Sequence, residues 1–328
     1  MRMVALGQRI CRDGGQARLA SVQLDPLLAR RVRFHGISIA CGEASPGSDE
    51  DIRWVVEQAV EQGCDWLAAD GYGFDTAFQD AMREAGIRLL LVDDFGHCSR
   101  YSADLVLNQN LSAHADLYPH RAERTKLLLG PEYMLLRTEF SDDLPCEAAV
   151  PDRARRILVT LGGADPVDAT TRVLRALAEL SDPSLSVKLV VGVSNRNAAR
   201  LAETVRDPRI ELLQSVEDMT KPMRWADLAI SAGGTTALEL CFMGVPTMLC
   251  VLAANQVELV RSLAEAGICE CLGWHHSLVA GELAARIEAL SGSPARRRDM
   301  AAAGRTLIDG QGSARIVAAM NASTAGRG

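Results

Sequence analysis

The nine cysteines of the chain, at positions 11, 41, 64, 98, 146, 241, 250, 269 and 271, never fall at the Cys-x-x-Cys spacing. That absence excludes the usual zinc-cluster patterns, and an odd number of scattered thiols argues against a disulfide framework; reduced thiols in the cytoplasm are expected. There is no apolar run near the roughly 20 residues needed to cross a bilayer, so no membrane span is expected. The opening segment turns polar too soon for a signal peptide. Positive charge is not in excess: the net charge is -7, which argues against nucleic acid as a partner. Internal repeats, low-complexity tracts, a Ser-His-Asp order and a reactive-cysteine signature are also missing. No Gly-Lys-Ser/Thr follows Gly162-Gly163, which excludes a Walker A loop.

What is present is an alternation of helix and strand over 328 residues, with 48% hydrophobic and 23% charged content. Such a chain suits a globular protein of one large or two ordinary domains. In the first half, helices are expected at 3–12, 51–61 and 76–84. Strands are expected at 17–22, 65–70 and 87–92, with short apolar runs at 105–107 and 127–129. Residues 139–152 are acidic, hold two prolines and lack periodicity, as a linker does. In the second half, strands are expected at 157–161, 185–191, 210–213, 228–231 and 247–251. Helices are expected at 167–180, 195–205, 217–224, 235–243, 255–267, 277–290, 294–306 and 312–321. This pattern predicts parallel α/β sheets. The fold class is α/β, with two Rossmann-like domains facing a cleft. Their expected bounds are 1–140 and 153–328, joined by a linker at 141–152. Nothing in the pattern selects an oligomeric state.

The most informative stretch is Asp227 to Gln256. Leu228–Ile230 reads as a buried strand, Ser231-Ala-Gly-Gly234 as a turn, and Thr235 opens a helix with Glu239 one turn in. Strand, glycine turn and helix N-terminus make an anion site, because bare N–H groups and the positive end of the helix dipole face a phosphate. A carboxylate at Glu239 could reach a ribose hydroxyl. The same device occurs at Gly162-Gly163-Ala-Asp-Pro166, where Asp165 suits an N-cap and Pro166 the first helical position. Two such loops at strand ends lie on one edge of a parallel sheet, where ligands of open α/β sheets bind. Asn195 and the pair Asn255-Gln256 fall at the same edge.

In the first half, Asp70-Gly-Tyr72 follows a strand and places polar groups at its carboxyl end, with Asp75 read as a helix N-cap. Asp93-Asp94-Phe-Gly-His97 puts two carboxylates and a histidine at the next strand end, a pattern suited to acid/base work or polar substrate contacts. No second histidine stands nearby at ligand spacing, so no metal is expected. The amides Asn108-Gln109-Asn110 suit sugar hydroxyl and acetamido groups, and equally suit turns. Arg137 could face a phosphate or be a surface cation. His275-His276 reads as a surface pair.

These motifs form a series. Asp70-Gly-Tyr-Gly-Phe-Asp-Thr76, Asp93-Asp-Phe-Gly-His97, Ala103-Asp-Leu-Val-Leu-Asn-Gln-Asn110 and Leu129-Gly-Pro-Glu-Tyr-Met-Leu-Leu-Arg137 mark the first half. Val159-Thr-Leu-Gly-Gly-Ala-Asp165, Ala226-Asp-Leu-Ala-Ile-Ser-Ala-Gly-Gly-Thr235 and Asn255-Gln256 mark the second. The series, over about residues 1–320, resembles the UDP-2,4-diacetamido-2,4,6-trideoxy-β-L-altropyranose hydrolases of pseudaminic acid biosynthesis, called PseG. The resemblance implies a glycosyltransferase-B (GT-B) fold, similar to the UDP-GlcNAc transferase of peptidoglycan synthesis. It implies a UDP-sugar substrate and no cofactor or metal. The expected reaction is inverting hydrolysis at the anomeric carbon. The diphosphate would be held by Ser231, Gly233, Gly234 and Thr235 with Gly162 and Gly163, the nucleoside by Asn195, the ribose by Glu239 and the sugar by Asn255 and Gln256. Tyr72, Asp94 and Asn255 would support catalysis.

In that family the base is a His in a Gly-x-Gly-His loop after the first strand. Here Met1-Arg-Met-Val-Ala-Leu-Gly7 is similar to the segment that follows this loop, and none of the six histidines falls at the matching place. The resemblance thus implies a misplaced start, a missing first strand and a rate lowered by about 10²–10⁴. The alternatives are a UDP-sugar-dependent GT-B glycosyltransferase and a catalytically impaired UDP-sugar-binding protein.

Overall fold

The computed structural model describes every residue except Gln23, Asp25, 142–148, Val193, Ser215 and 326–328. Most of the expected linker therefore lies outside the described residues. The chain divides into two compact units, Met1–Ser141 with Gly310–Gly328, and Asp142–Asp309. No helix among the described residues is long and apolar enough to cross a membrane.

The first unit opens on helix α1 (Arg2–Arg12), followed by β1 (Arg18–Ser21), α2 (Pro26–Phe34), β2 (Ser38–Cys41) and α3 (Asp49–Glu61). It continues through β3 (Trp66–Asp70), α4 (Thr76–Glu84), β4 (Arg88–Val92), β5 (Leu105–Asn108), β6 (Lys126–Leu129) and α5 (Thr138–Ser141). Strands β1 and β2 pair in parallel, and β3-β4-β5-β6 form a separate parallel sheet in that order. In β4 successive side chains go to opposite faces, yet both faces are apolar because helices cover both. Leu89 and Leu91 pack with Val55 of α3 and with Phe78 and Met82 of α4. Leu90 and Val92 pack with Ala5 and Leu6 of α1 and with Ile316 and Met320 of the chain's last helix, Gly312–Ala325. That last contact moves the expected boundary. The expected second domain, 153–328, takes in residues 310–328, but the apolar side chains of the last helix complete the core of the first unit.

The second unit contains β7 (Arg156–Thr160), α6 (Ala169–Ala178), β8 (Ser186–Val191), α7 (Ala198–Thr204), β9 (Ile210–Gln214) and α8 (Thr220–Trp225). It continues with β10 (Leu228–Ala232), α9 (Thr235–Met243), β11 (Thr247–Val251), α10 (Val257–Glu265), β12 (Cys269–Trp274), α11 (Ala280–Ser291) and α12 (Pro294–Leu307), and the last helix is α13. Its strands form one parallel sheet in the order β12-β11-β10-β7-β8-β9. At the start of β10, Asp227 fastens this strand to β7: its carboxylate accepts the N–H of Arg155 (3.0 Å) and Arg156 (2.9 Å) and the Arg156 guanidinium (3.0 and 2.5 Å). Burial works against the charge, but these donors hold the carboxyl below its ordinary range.

Candidate functional site

Strand order in the second unit reverses between β7 and β10. From β7 the chain moves outward through β8 and β9, then returns to the other side of β7 with β10 and moves outward again through β11 and β12. The two are direct neighbours, with Thr160 opposite Ser231. Both glycine loops therefore leave adjacent strands at the reversal, the place where open α/β sheets bind ligands.

The loops have different reasons for glycine. Gly162 takes φ +86°, which side chains disfavour. Gly233 allows α10 to approach: a Cβ there would stand 2.4 Å from Val260 Cγ2. Gly163, Gly234 and Gly162 face open space, with nothing within 4 Å of a built Cβ. Helix α9 begins at Gly234 with no side-chain cap, and Thr235 and Thr236 are half-buried. Its first N–H groups have no partner one turn back within the helix, so the positive end of α9 suits an anion approaching along the Gly234 side.

The neighbouring side chains divide by role. Asp165 caps α6, but from further back than expected. Its carboxylate accepts Ala169 N (2.9 Å), Thr170 N (2.9 Å) and Thr170 Oγ1 (2.6 Å). Left-handed Asp165 and Asp168 insert an extra turn, so the helix starts at Ala169 and Pro166 precedes it. Ser231, expected on the diphosphate, is buried, and its hydroxyl donates to Thr160 O at 2.8 Å. It ties β10 to β7 rather than facing a ligand. Gln256, expected on the sugar, accepts Leu252 N at 2.9 Å through Oε1 and closes its own loop. Asn195 is buried in the loop after β8 and accepts Asn197 N at 2.8 Å. Glu239 is buried one turn into α9, and Asn255 is exposed at the edge beyond β11.

The first unit builds its carboxyl edge from charged side chains. Arg2, in the first turn of α1, donates to Asp70 at 3.1 and 2.6 Å and to Asp94 Oδ1 at 2.6 Å. Burial opposes its charge, but Asp94 and then Asp70 raise the guanidinium above its ordinary value. Asn110 Nδ2 reaches Asp94 O at 3.2 Å and Oδ1 at 3.4 Å, and the half-exposed Tyr72 hydroxyl stands 3.4 Å from Asp94 Oδ2. Asp75 caps α4 as expected, accepting Ala77 N and Phe78 N.

The adjacent carboxylates separate. Asp93 is fully buried, with Oδ1 accepting Phe95 N and Gly96 N and Oδ2 accepting Tyr101 Oη at 2.5 Å. Burial pushes its pKa up, but His97, Tyr101 and the Phe95 N–H overcome that and hold it at about 2. Asp93 in turn, with Cys98, raises His97 to about 10 against burial. Of the three amides, Asn108 binds Tyr118 and the Asn110 N–H, and Gln109 accepts Leu135 N. Both are internal ties, which leaves Asn110 alone at the site edge. Arg137 is neither a surface cation nor a phosphate ligand here: it is buried, paired with Glu139 at 2.6 Å and set over Phe140. Arg2 lies in the Met1–Gly7 segment already singled out, but only the fold brings its guanidinium to Asp70 and Asp94.

Residues 156–312 match the glycosyltransferase family 28 C-terminal domain. Among curated proteins, the chain is similar to the spore coat polysaccharide biosynthesis protein SpsG of Bacillus subtilis (strain 168). The two are 27% identical over 196 residues, 59% of this chain and 58% of that protein. It is also similar to the UDP-N-acetylglucosamine–N-acetylmuramyl-(pentapeptide) pyrophosphoryl-undecaprenol N-acetylglucosamine transferase of Xanthomonas campestris pv. campestris (strain 8004). That match is 31% identical over 183 residues, 52% of this chain and 43% of that one. The chain spans about half the length of the curated relatives it matches. Among solved structures, Acinetobacter baumannii MurG superposes with TM-score 0.64 at 15% identity, over 98% of this chain and 95% of that chain. The spinosyn forosaminyltransferase SpnP superposes with TM-score 0.67 at 12% identity, over 98% and 95%. The chain thus has the α/β GT-B fold with parallel sheets, and its residues 156–312 match the glycosyltransferase family 28 C-terminal domain.

Proposed function

We propose that the second unit binds a uridine diphosphate sugar at the β7–β10 reversal and that the chain transfers the glycosyl group to an acceptor. The observation that carries this reading is the pair of open glycine loops on adjacent parallel strands, one leading into the uncapped N-terminus of α9. In the transfer, the bond from the anomeric carbon to the diphosphate breaks and a bond to the acceptor oxygen forms, while the acceptor proton leaves to a base. Charge develops on the departing diphosphate, where fixed N–H groups and the α9 dipole stabilise it without reorganising. Uridine as the nucleoside is supported by the name of the Xanthomonas relative, whose donor is a UDP-sugar. In the first unit the group suited to hold or take the acceptor proton is Asp94. Arg2 fixes its Oδ1, while its Oδ2 meets the Tyr72 hydroxyl at 3.4 Å.

Water as the acceptor is the second reading. It is favoured by the motif series of the first half, with Asp93-Asp94 and Asn108-Gln109-Asn110, which resembles the hydrolases of UDP-2,4-diacetamido-2,4,6-trideoxy sugars. UDP release from UDP-GlcNAc and from that diacetamido donor, measured with and without candidate acceptors, separates the two. Acceptor-dependent release supports transfer, and release of UDP and free sugar in buffer alone supports hydrolysis. A protein that fails to bind UDP at all by calorimetry would sink both.

A further inference from the structure

Oxygen, nitrogen and sulfur donors converge in the loop after β4 of the first unit. The loop wraps the Asp93 carboxylate, which accepts the N–H groups of Phe95 (2.9 Å), Gly96 (2.8 Å) and His97 (3.2 Å). Gly96 takes φ +76° and lies against Leu117 O, where a Cβ would come within 2.5 Å. This wrap turns His97 and Cys98 back toward Asp93. An Asp93 oxygen, a His97 ring nitrogen and Cys98 Sγ all lie within 4.8 Å of one another. The His97 side chain is only 10% exposed. Both of its ring nitrogens are buried and without a hydrogen-bond partner among the described residues. Nδ1 stands 3.1 Å from Asp93 Oδ2, in ion-pair range but off the hydrogen-bond line. Nδ1 has the Asp93 carboxylate as its ion-pair partner, whereas Nε2 is buried with no partner among the described residues, and such a nitrogen calls for a ligand.

We propose that Asp93, His97 and Cys98 form a binding site for a zinc-type divalent cation. Thiolate and imidazole select a borderline-soft ion, whereas magnesium and calcium take oxygen ligands. On binding, the Cys98 thiol and the protonated His97 ring each give one proton to solvent, so that His97 ligates as neutral imidazole, and no electron is exchanged. Outer partners are already in place: Tyr101 Oη donates to Asp93 Oδ2 at 2.5 Å, and Gln79 Nε2 donates to Cys98 Sγ at 3.3 Å. Such groups fix ligand orientation. Three protein donors leave a fourth tetrahedral position. The ion would stiffen the loop that carries Asp94, beside Tyr72, whose ring stands 5.9 Å from that of His97.

The full chain, treated with a chelator and dialysed, is titrated with zinc against a chromogenic competitor, and separately with cobalt by absorption. The expected result is one ion per chain and a thiolate-to-cobalt charge-transfer band that vanishes in Cys98→Ser. Zinc affinity should fall about 10–100-fold in Tyr101→Phe, which removes an outer partner, and further in His97→Gln, which removes a ligand. Circular dichroism confirms that Cys98→Ser is folded, so this variant decides the matter even where His97→Gln does not fold. Failure of the folded wild type to bind zinc overturns the proposal. So does a cobalt band that survives Cys98→Ser, which would assign the ion to other thiols.

Discussion

The two sheets present opposite chemistries at their carboxyl edges. In the second unit the edge is backbone: Gly162, Gly163, Gly233, Gly234 and the bare start of α9. In the first it is side chain: Arg2 between Asp70 and Asp94, with Tyr72 and Asn110 at the margin. Backbone N–H groups bind an anion without a charge of their own and cannot be deleted by mutation, only blocked. Side-chain clusters can be deleted but not easily blocked. The two edges are therefore broken in opposite ways, one by adding atoms and the other by removing them.

The largest effect is expected from removal in the first unit. Asp94→Asn keeps the shape and removes the proposed base, so turnover should fall by about 10²–10⁴, the usual worth of a general base. The affinity for UDP should stay within twofold or so, since the glycine loops are untouched. Steady-state kinetics paired with calorimetry checks both halves, and unchanged turnover would remove Asp94 from the chemistry.

Addition in the second unit comes next. Gly234→Asp places a carboxylate where nothing lies within 4 Å and where φ is -116°, so folding should be unaffected. A like charge facing the diphosphate should weaken UDP by at least about 100-fold, or about 2.7 kcal/mol. The thermal midpoint should match that of the wild type. Unweakened UDP binding would place the phosphates away from α9.

The same contrast explains what could be read in the sequence. Strands β10 and β11 are buried throughout and β7 is buried after Arg156, so they stand out as largely apolar runs at strand positions. Strand β12 was not expected: Cys-Glu-Cys-Leu-Gly-Trp has an exposed edge, a register shift against β11 and a glycine at φ +78°. Helix α2 and strand β2 were likewise unread, because α2 carries arginines at positions 30, 31 and 33 and β2 is four residues with an exposed start. The glycine loops were legible as an anion site because their chemistry is local. Asp93 and Asp94 look equivalent in sequence, but the loop after β4 sends one into a buried network with Phe95 N, Gly96 N and Tyr101 and the other to Arg2. Arg2 is 68 positions from Asp70 and 92 from Asp94, a pairing that only the folded sheet creates. No metal is expected near His97 from the sequence, because no second histidine stands at ligand spacing; the fold instead brings the adjacent Cys98 within 4.8 Å of Asp93 and His97.

The support beneath the backbone edge can be tested by pH. Asp227→Asn removes a carboxylate that accepts four hydrogen bonds and should cost about 1.5–3 kcal/mol at neutral pH. Because the folded carboxyl titrates below its ordinary 3.8, its stabilisation is present above that value and is lost as pH falls through the lower folded value. Denaturant melts of wild type and variant should therefore stay a constant distance apart from pH 7 to about pH 4 and converge below. A gap that persists into stronger acid would assign the loss to packing rather than charge.

The smallest effects separate a glycine needed for packing from one left open for a ligand. The loops after β7 and β8 touch, and a Cβ on Gly192 would stand 2.3 Å from Gly163 O. Gly192→Ala must push the two loops apart and should cost about 1–3 kcal/mol. Gly163→Ala points its methyl into open space and carries no left-handed φ, so stability should change by no more than about 0.5 kcal/mol. The methyl would still stand at the mouth of the β7 loop, so a modest loss of UDP affinity with no change in melting is the expected signature. If Gly163→Ala melts as early as Gly192→Ala and leaves UDP affinity untouched, the β7 glycines serve the fold, and the anion site reduces to the start of α9.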